Sequence, residues 1–324
     1  MPLNTYLEAI NNELEGYSYG ENPPELYAPI KYLMSIGGKR LRPALTLMAA
    51  NMWLYKWQKA LKPALAVEVF HNFTLMHDDI MDNAPARRGK PTVHEKWDVN
   101  TAILSGDVML VAAYKLLENV DDSVFKKVFS RFNQTASEVC EGQMMDMDFA
   151  IRKNVSKEEY IEMIRLKTSV LLGYALELGG LIAEADEESV KLLYSIGENM
   201  GIGFQLKDDI LDVYANPEKF GKQVGGDIIE NKKTWLLLHA LEVSENLSEG
   251  ARLREWLKKT SFDPVEKVSD VREIFNSLEI KPAAEALSVH YFDIAFAALD
   301  KLNVSEEKKQ PLKAFGLQLL NREN

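Results

Sequence analysis

The chain has one cysteine, Cys140, among its 324 residues, so no intrachain disulfide can brace it, which fits a reducing compartment. It has no basic surplus either. With a formal net charge of −11 it offers no cationic surface to track a nucleic-acid backbone, and any anionic ligand must be held locally. The amino terminus, Met1-Pro2-Leu3-Asn4, lacks the charged stretch and apolar core of a secretory signal. Even the run from Thr101 to Leu117 is broken by Ser105, Gly106 and Asp107 before it reaches the roughly 18 residues of a membrane span. These absences point to a soluble, cytoplasmic protein with no membrane span, in which Cys140 is expected to be a small buried residue.

Proline is missing from everything between Pro91 and Pro217, and apolar residues there recur at three- and four-residue spacing, which predicts successive long helices. Ser156 followed by Glu159 has the capping-box spacing and starts one of them, with Tyr160, Ile161 and Ile164 opening its apolar stripe. No Asn-Gly or Asp-Gly turn sits between alternating segments, and no strand–helix succession appears. The fold class is therefore all-α. At 46% hydrophobic residues the chain can bury a sizeable core, read here as a single all-helical domain over 1–324.

Three stretches interrupt the helical pattern with glycine, proline and charge: Ser35 to Pro43, Asn83 to Val93, and Asn216 to Lys233. Beside them lie two copies of Asp-Asp-x-x-Asp, at Asp78, Asp79 and Asp82 and at Asp208, Asp209 and Asp212. The first and last aspartates of each copy fall on one helix face, about 6 Å apart along the axis. Like charges at that spacing destabilise a helix unless a cation lies between them. Oxygen-only donors with no cysteine or histidine cluster favour Mg2+, which is held by one or two carboxylates together with substrate phosphates. The expected cargo is a diphosphate. Direct donors come from the interruptions: Lys39, Arg40 and Arg42; Arg87, Arg88 and Lys90; Lys222, Lys232 and Lys233. Gly221, Gly225 and Gly226 give the third stretch the freedom of a closing lid.

The ordered set of landmarks is similar to the trans-isoprenyl diphosphate synthases, or polyprenyl synthetases, over nearly the whole chain. It runs through Gly37-Gly38-Lys39-Arg40-Leu41-Arg42-Pro43, His71, Arg87-Arg88-Gly89-Lys90-Pro91-Thr92, Gly106-Asp107, Gly142-Gln143 with Asp146, Lys167-Thr168, Phe204-Gln205 and Gly221-Lys222 with Lys232. The resemblance implies a bundle of long helices around a deep central well, working as a homodimer. It implies an enzyme that condenses isopentenyl diphosphate with an allylic diphosphate by ionisation, attack of the double bond on the cation and loss of a proton. By matching position, Asp78, Asp82 and Asp208 would bind magnesium, supported by Asp79, Asp209 and Asp212. Gly38, Lys39, Arg42, His71 and Arg88 would take isopentenyl diphosphate. Arg87, Lys167, Lys222 and Lys232 would hold the allylic diphosphate, and Thr168 and Gln205 would line the cationic centre.

Several residues carry separate expectations. Phe73 lies five residues before Asp78, roughly 7.5 Å down the helix, with Thr74 and Phe70 continuing the stripe. In the resembling family an aromatic at the Phe73 position marks a short-chain synthase, giving a twenty-carbon product ahead of a fifteen-carbon one. His77 is expected to be structural, His94 could be structural or a ligand, and Phe149, Met144 and Met147 read as core. A class I terpene cyclase is the nearest enzymatic rival, and a non-catalytic subunit of a heteromeric synthase the rival from another class. Neither explains a complete set of both aspartate motifs and the Arg87-Arg88 pair.

Overall fold

The computed structural model describes residues 3–215 and 225–322, which form helices and turns apart from one antiparallel pairing of two-residue strands, β1 (Ala86–Arg87) with β2 (Lys90–Pro91). The all-α class holds. The chain divides into two compact units. The first comprises Met1–Thr135, Tyr174–Tyr194 and Leu302–Leu312, and the second Ala136–Gly173, Ser195–Lys301 and Lys313–Asn324. Lys222 and Gly221, with most of the expected lid, lie outside the described residues.

In the first unit, α1 (Leu3–Gly16), α2 (Pro24–Ser35), α3 (Leu41–Trp53), α4 (Leu61–Met81), the short α5 (Val93–Lys96) and α6 (Val99–Leu117) precede the start of α7 (Asp122–Ile151). Every residue of α4 from Pro63 to Phe70 is buried, which is why its sequence there is nearly all apolar rather than striped. The exception, Glu68, is paired inside the unit with Arg40 at 2.6 Å. Deleting either partner would strand a buried charge at a cost of about 3–5 kcal/mol. Helix α6 lies along α4 and α2, and Ser105 donates to the Leu26 carbonyl at 2.9 Å.

By length and composition α6 is long and apolar enough to cross a membrane, contrary to the sequence expectation, because Ser105, Gly106 and Asp107 do not outweigh its many aliphatic residues. Two of its breaks, Ser105 and Gly106, are buried packing positions, while Asp107 is exposed. Ile103, Leu104 and Val111 remain exposed on its outer side.

The second unit is built on the later part of α10 (Glu187–Tyr214) and the helices Trp235–Val243, Pro264–Ser277 and Ile280–Lys301, with α8 (Lys157–Ile164) alongside. Its core gathers Leu206, Ile210, Leu236, Leu253, Ile274, Phe275 and Ile280, each side chain contributing about 1.5–3 kcal/mol by leaving water. Helix α8 begins as expected. Ser156 and Glu159 form a reciprocal capping box, and Val155 just before the cap joins Tyr160 in the same apolar cluster, fixing the angle at which the chain enters the helix. Between α8 and α9 (Val170–Ile182) the backbone widens into a π-turn at Arg165–Ser169, a distortion common at functional positions.

Four expectations on α7 divide. Phe149 is buried, but Met144 and Met147 are exposed, at 66% and 44%, and Cys140 is exposed rather than buried. The last three recur at helical spacing on a face that stays exposed among the described residues. An apolar stripe in sequence does not say which partner covers it.

Candidate active site

The first unit collects cations around His71. Arg42 Nη1 lies 3.1 Å from His71 Nε2. Burial, reinforced by the charges of Arg42, Arg87, Arg88 and Arg40, holds the imidazole pKa well below the ordinary histidine value, so His71 is neutral near pH 7. Burial lowers the Arg42 guanidinium to about 10, still charged at neutrality. The Arg88 guanidinium is lowered by burial and by Arg87 and Arg40. Gly38 sits against Arg88, whose Nη1 would be 3.0 Å from any Cβ added there. The structure thus brings Gly38, Arg42, His71 and Arg88 together, while Lys39 stands exposed one residue from Gly38. A patch of guanidiniums beside a neutral imidazole, on a chain of net negative charge, is suited to a phosphate group and its charge-assisted hydrogen bonds.

Arg87 and Arg88 are presented by the β1–β2 hairpin. Both central residues of its turn, Arg88 and Gly89, have positive φ, the geometry of tight two-residue hairpins. The hairpin is tied down where Thr92 Oγ1 donates to the Ala84 carbonyl at 2.7 Å and Tyr32 Oη to the Pro91 carbonyl at 2.8 Å. Arg87 then reaches back to Asp79 with Nε at 3.0 and 2.9 Å from its two oxygens and Nη2 at 2.7 Å. Asp79 is buried and locked by this fork, whereas Asp78 is half-buried and Asp82, the last-turn cap of α4, is exposed. One motif therefore serves two roles.

Along α4, away from these aspartates, the rings of His77, Phe73 and Phe70 pack in sequence with centroids 4.7 and 5.6 Å apart, and Phe70 meets Phe132 at 5.2 Å. Thr74 turns its hydroxyl to the His71 carbonyl at 2.8 Å. His77 is structural, lying 3.2 Å from the Ile103 carbonyl and filling the space opposite Gly106. His94 lies 3.7 Å from Glu95 with its side chain 7% exposed.

In the second unit Lys167 and Thr168 ride on the π-turn. Gly142 of α7 makes that placement possible, since a Cβ there would fall 2.2 Å from the Lys167 backbone nitrogen. One turn further along α7, Asp146 accepts from Lys167 Nζ at 2.6 Å. Thr168 Oγ1 is 3.5 Å from Gln205 Oε1, and Gln205 Nε2 donates to Asp209 Oδ1 at 3.1 Å. The other oxygen of Asp209 accepts a short hydrogen bond from the buried Tyr160 hydroxyl. Asp212 Oδ2 accepts from the Asp227 backbone nitrogen at 3.0 Å, and Asp208 is paired with Arg322 at 2.6 Å. Lys232 pairs with Asp227 at 3.6 Å. Its surroundings desolvate the ammonium, yet Asp227, Asp146, Asp209 and Glu230 together keep its pKa above the ordinary lysine value.

Sequence reasoning missed Tyr160, Asp227 and Arg322. Asp227 lies within the glycine-rich stretch from Asn216 to Lys233, an available signal, but Arg322 carried no signal of its long-range partner.

Among the described residues no group of three or more Asp, Glu, His or Cys side chains forms a ready-made metal cage. The donor set nevertheless fits a divalent cation that arrives with phosphate oxygens of its own. Burial and then the charge of Asp227 push the Asp209 carboxyl to about 8 and that of Asp212 to about 6, an excess of negative charge that a cation would relieve.

These helices, with their paired aspartate motifs and clustered guanidinium and ammonium groups, define a class of helical enzyme that handles diphosphates. Residues 23–278 match the polyprenyl synthetase family, and the chain belongs to that family and is a prenyltransferase with the all-α isoprenoid synthase fold. The chain is 44% identical over 222 residues to a geranylgeranyl diphosphate synthase of Methanosarcina mazei, covering 68% of each. It is 36% identical over 303 residues, 92% of each chain, to a geranylgeranyl pyrophosphate synthase of Geoglobus acetivorans. A crystal structure of a geranylgeranyl pyrophosphate synthase matches it with a TM-score of 0.95 at 45% identity, covering 100% of both chains.

Proposed function

We propose that the protein makes geranylgeranyl diphosphate, condensing isopentenyl diphosphate with allylic diphosphates in a magnesium-dependent reaction. The observation that carries the reading is the guanidinium cluster around neutral His71. A cyclase needs one diphosphate site at its aspartates, whereas a condensing enzyme needs a second anion site of this kind. The similarity to geranylgeranyl diphosphate synthases over the chain's length, together with Phe73 beneath the first motif, supports the twenty-carbon product.

In this reading Arg42, Arg88, His71, Lys39 and the Gly38 backbone take isopentenyl diphosphate. Asp78 and Asp82 of the first motif, and Asp208 with Asp212 of the second, would hold magnesium, which would supply neutralisation of charge on the departing pyrophosphate. Arg87, Lys167 and Lys232 are already charged partners of Asp79, Asp146 and Asp227. A diphosphate takes those cations over by exchange, so they are oriented before substrate arrives. Thr168 and Gln205 face the allylic cation with neutral oxygens, and the apolar side chains around Phe73 keep water from it.

The exposed Ile103, Leu104 and Val111 on α6 and Phe129 on α7 support a homodimer formed over that apolar surface. A cytoplasmic location accords with the single cysteine.

Two variants separate the diphosphate sites. Arg88→Ala should raise KM for isopentenyl diphosphate about tenfold or more, and Lys167→Ala that for the allylic substrate, each through loss of a charge-assisted hydrogen bond. If both variants raise the same KM, the assignment of two distinct sites is wrong.

A further inference from the structure

Tyr160 carries a hydroxyl into the interior of the second unit, where the residue is only 2% exposed and packed among aliphatic side chains. Phenylalanine would suit that packing, since a buried hydroxyl is unfavourable unless it is hydrogen-bonded. The hydroxyl bonds to Asp209 Oδ2, and Asp209 Oδ1 accepts from Gln205 Nε2 at 3.1 Å. Each oxygen of Asp209 therefore has a donor from the protein. For Gln205 the consequence is orientation. Its amide nitrogen is committed to Asp209, which leaves Oε1 on the Thr168 side, 3.5 Å from Thr168 Oγ1. An amide stabilises a carbocation with its oxygen; turned over, it would present N–H groups instead.

We propose that Tyr160 is a positioning residue for prenyl transfer, acting through Asp209 to hold Gln205 with its amide oxygen toward the developing allylic cation. This rests on the prenyltransfer chemistry proposed above. The local fold supports it: the capping box and the Val155 contact fix the start of α8 and so the place of Tyr160, and the same segment runs on into the π-turn that carries Thr168. Asp209, named in the sequence as a supporting metal residue, becomes the link in this relay. The two faces of a glutamine amide are nearly equal in shape, so steric packing alone does not choose between them. Charge on the substrate carbon exists only after ionisation begins, so the benefit falls on the transition state and appears in kcat rather than KM.

Tyr160→Phe tests this while keeping the ring. Its kcat should fall by up to about tenfold, as expected for losing one buried hydrogen bond. KM for both diphosphates should stay within about twofold, and the thermal midpoint close to wild type. The deciding measurement is a cycle with Gln205→Ala. With no amide left to orient, adding Tyr160→Phe should cost less than about twofold further, and Asp209→Asn should show the same coupling. An unchanged kcat, a loss confined to KM, or the same factor in both backgrounds overturns the relay while leaving the function of the protein intact. A wild-type protein that forms no prenyl diphosphate overturns both.

Discussion

Replacing Gly142 by Ala places a methyl group 2.2 Å from the Lys167 backbone nitrogen and 2.7 Å from the Leu166 carbonyl carbon, where ordinary contact begins at 3.4 Å. Helix α7 and the π-turn must then separate by about 1 Å, because neither atom belongs to a side chain that can swing aside. Overpacking of this kind costs about 1–3 kcal/mol, which for a protein of this size lowers the melting temperature by about 1–2 °C per kcal/mol. The effect on rate should be larger than the effect on stability. Lys167 and Thr168 both sit on the displaced turn, Asp146 on the displacing helix grips Lys167, and a misplacement of about 1 Å can cost on the order of a hundredfold in rate.

The assay is incorporation of labelled isopentenyl diphosphate at a temperature well below melting, with Gly16→Ala as the control. A methyl group at Gly16 meets nothing within 4 Å, so that variant should behave as wild type. Wild-type melting and rate in Gly142→Ala would refute the close approach itself. A lowered melting temperature with an unchanged rate would refute the claim that the approach positions the site.

Phe73→Ala should lengthen the product, and an unchanged chain length on chromatography would remove Phe73 from the account. Because burial and the surrounding guanidiniums depress the folded pKa of His71 below an unfolded value of about 6.5, the unfolded chain takes up the proton first on acidification. The stability linked to His71 is complete above about pH 6.5 and is lost as the pH falls from there to the folded value. His71→Gln should therefore flatten the acid limb of urea midpoints, and an identical slope would contradict the assignment. For Asp212 and Asp209, raised to about 6 and about 8, the sign is opposite: the metal-free protein loses stability as the pH rises from about 4 through those values. Magnesium favours the ionised carboxyls, so it should raise the melting temperature more at pH 8 than at pH 5.5. Equal shifts at both would argue against metal at the second motif.

Much of this arrangement was legible in the sequence because it is local. The two aspartate motifs, the Ser156 cap and the Arg87-Arg88 pair lie within a few residues of the structure they create. Partners separated by long stretches of chain were not legible. Tyr160 read as another apolar-face residue because periodicity registers its ring and not its hydroxyl, whose acceptor arrives on a different helix. Arg322 reaches Asp208 from the end of the chain, and Glu68 is hidden in an apolar run until Arg40 is seen beside it. The π-turn has no residue signature of its own, and the close approach of Gly142 to it appears only in the structure. Cys140, Met144 and Met147 show the converse limit, since helical spacing predicts a covered face without saying that the cover belongs to this chain.

Prenyl transfer is tested most directly by incubating the purified protein with labelled isopentenyl diphosphate and, in turn, dimethylallyl, geranyl and farnesyl diphosphate, with and without magnesium, and sizing the products. The account predicts a labelled twenty-carbon diphosphate from each starter, formed only when metal and both substrates are present. Cyclic hydrocarbon from an allylic diphosphate alone, or no product longer than its starter, would contradict it.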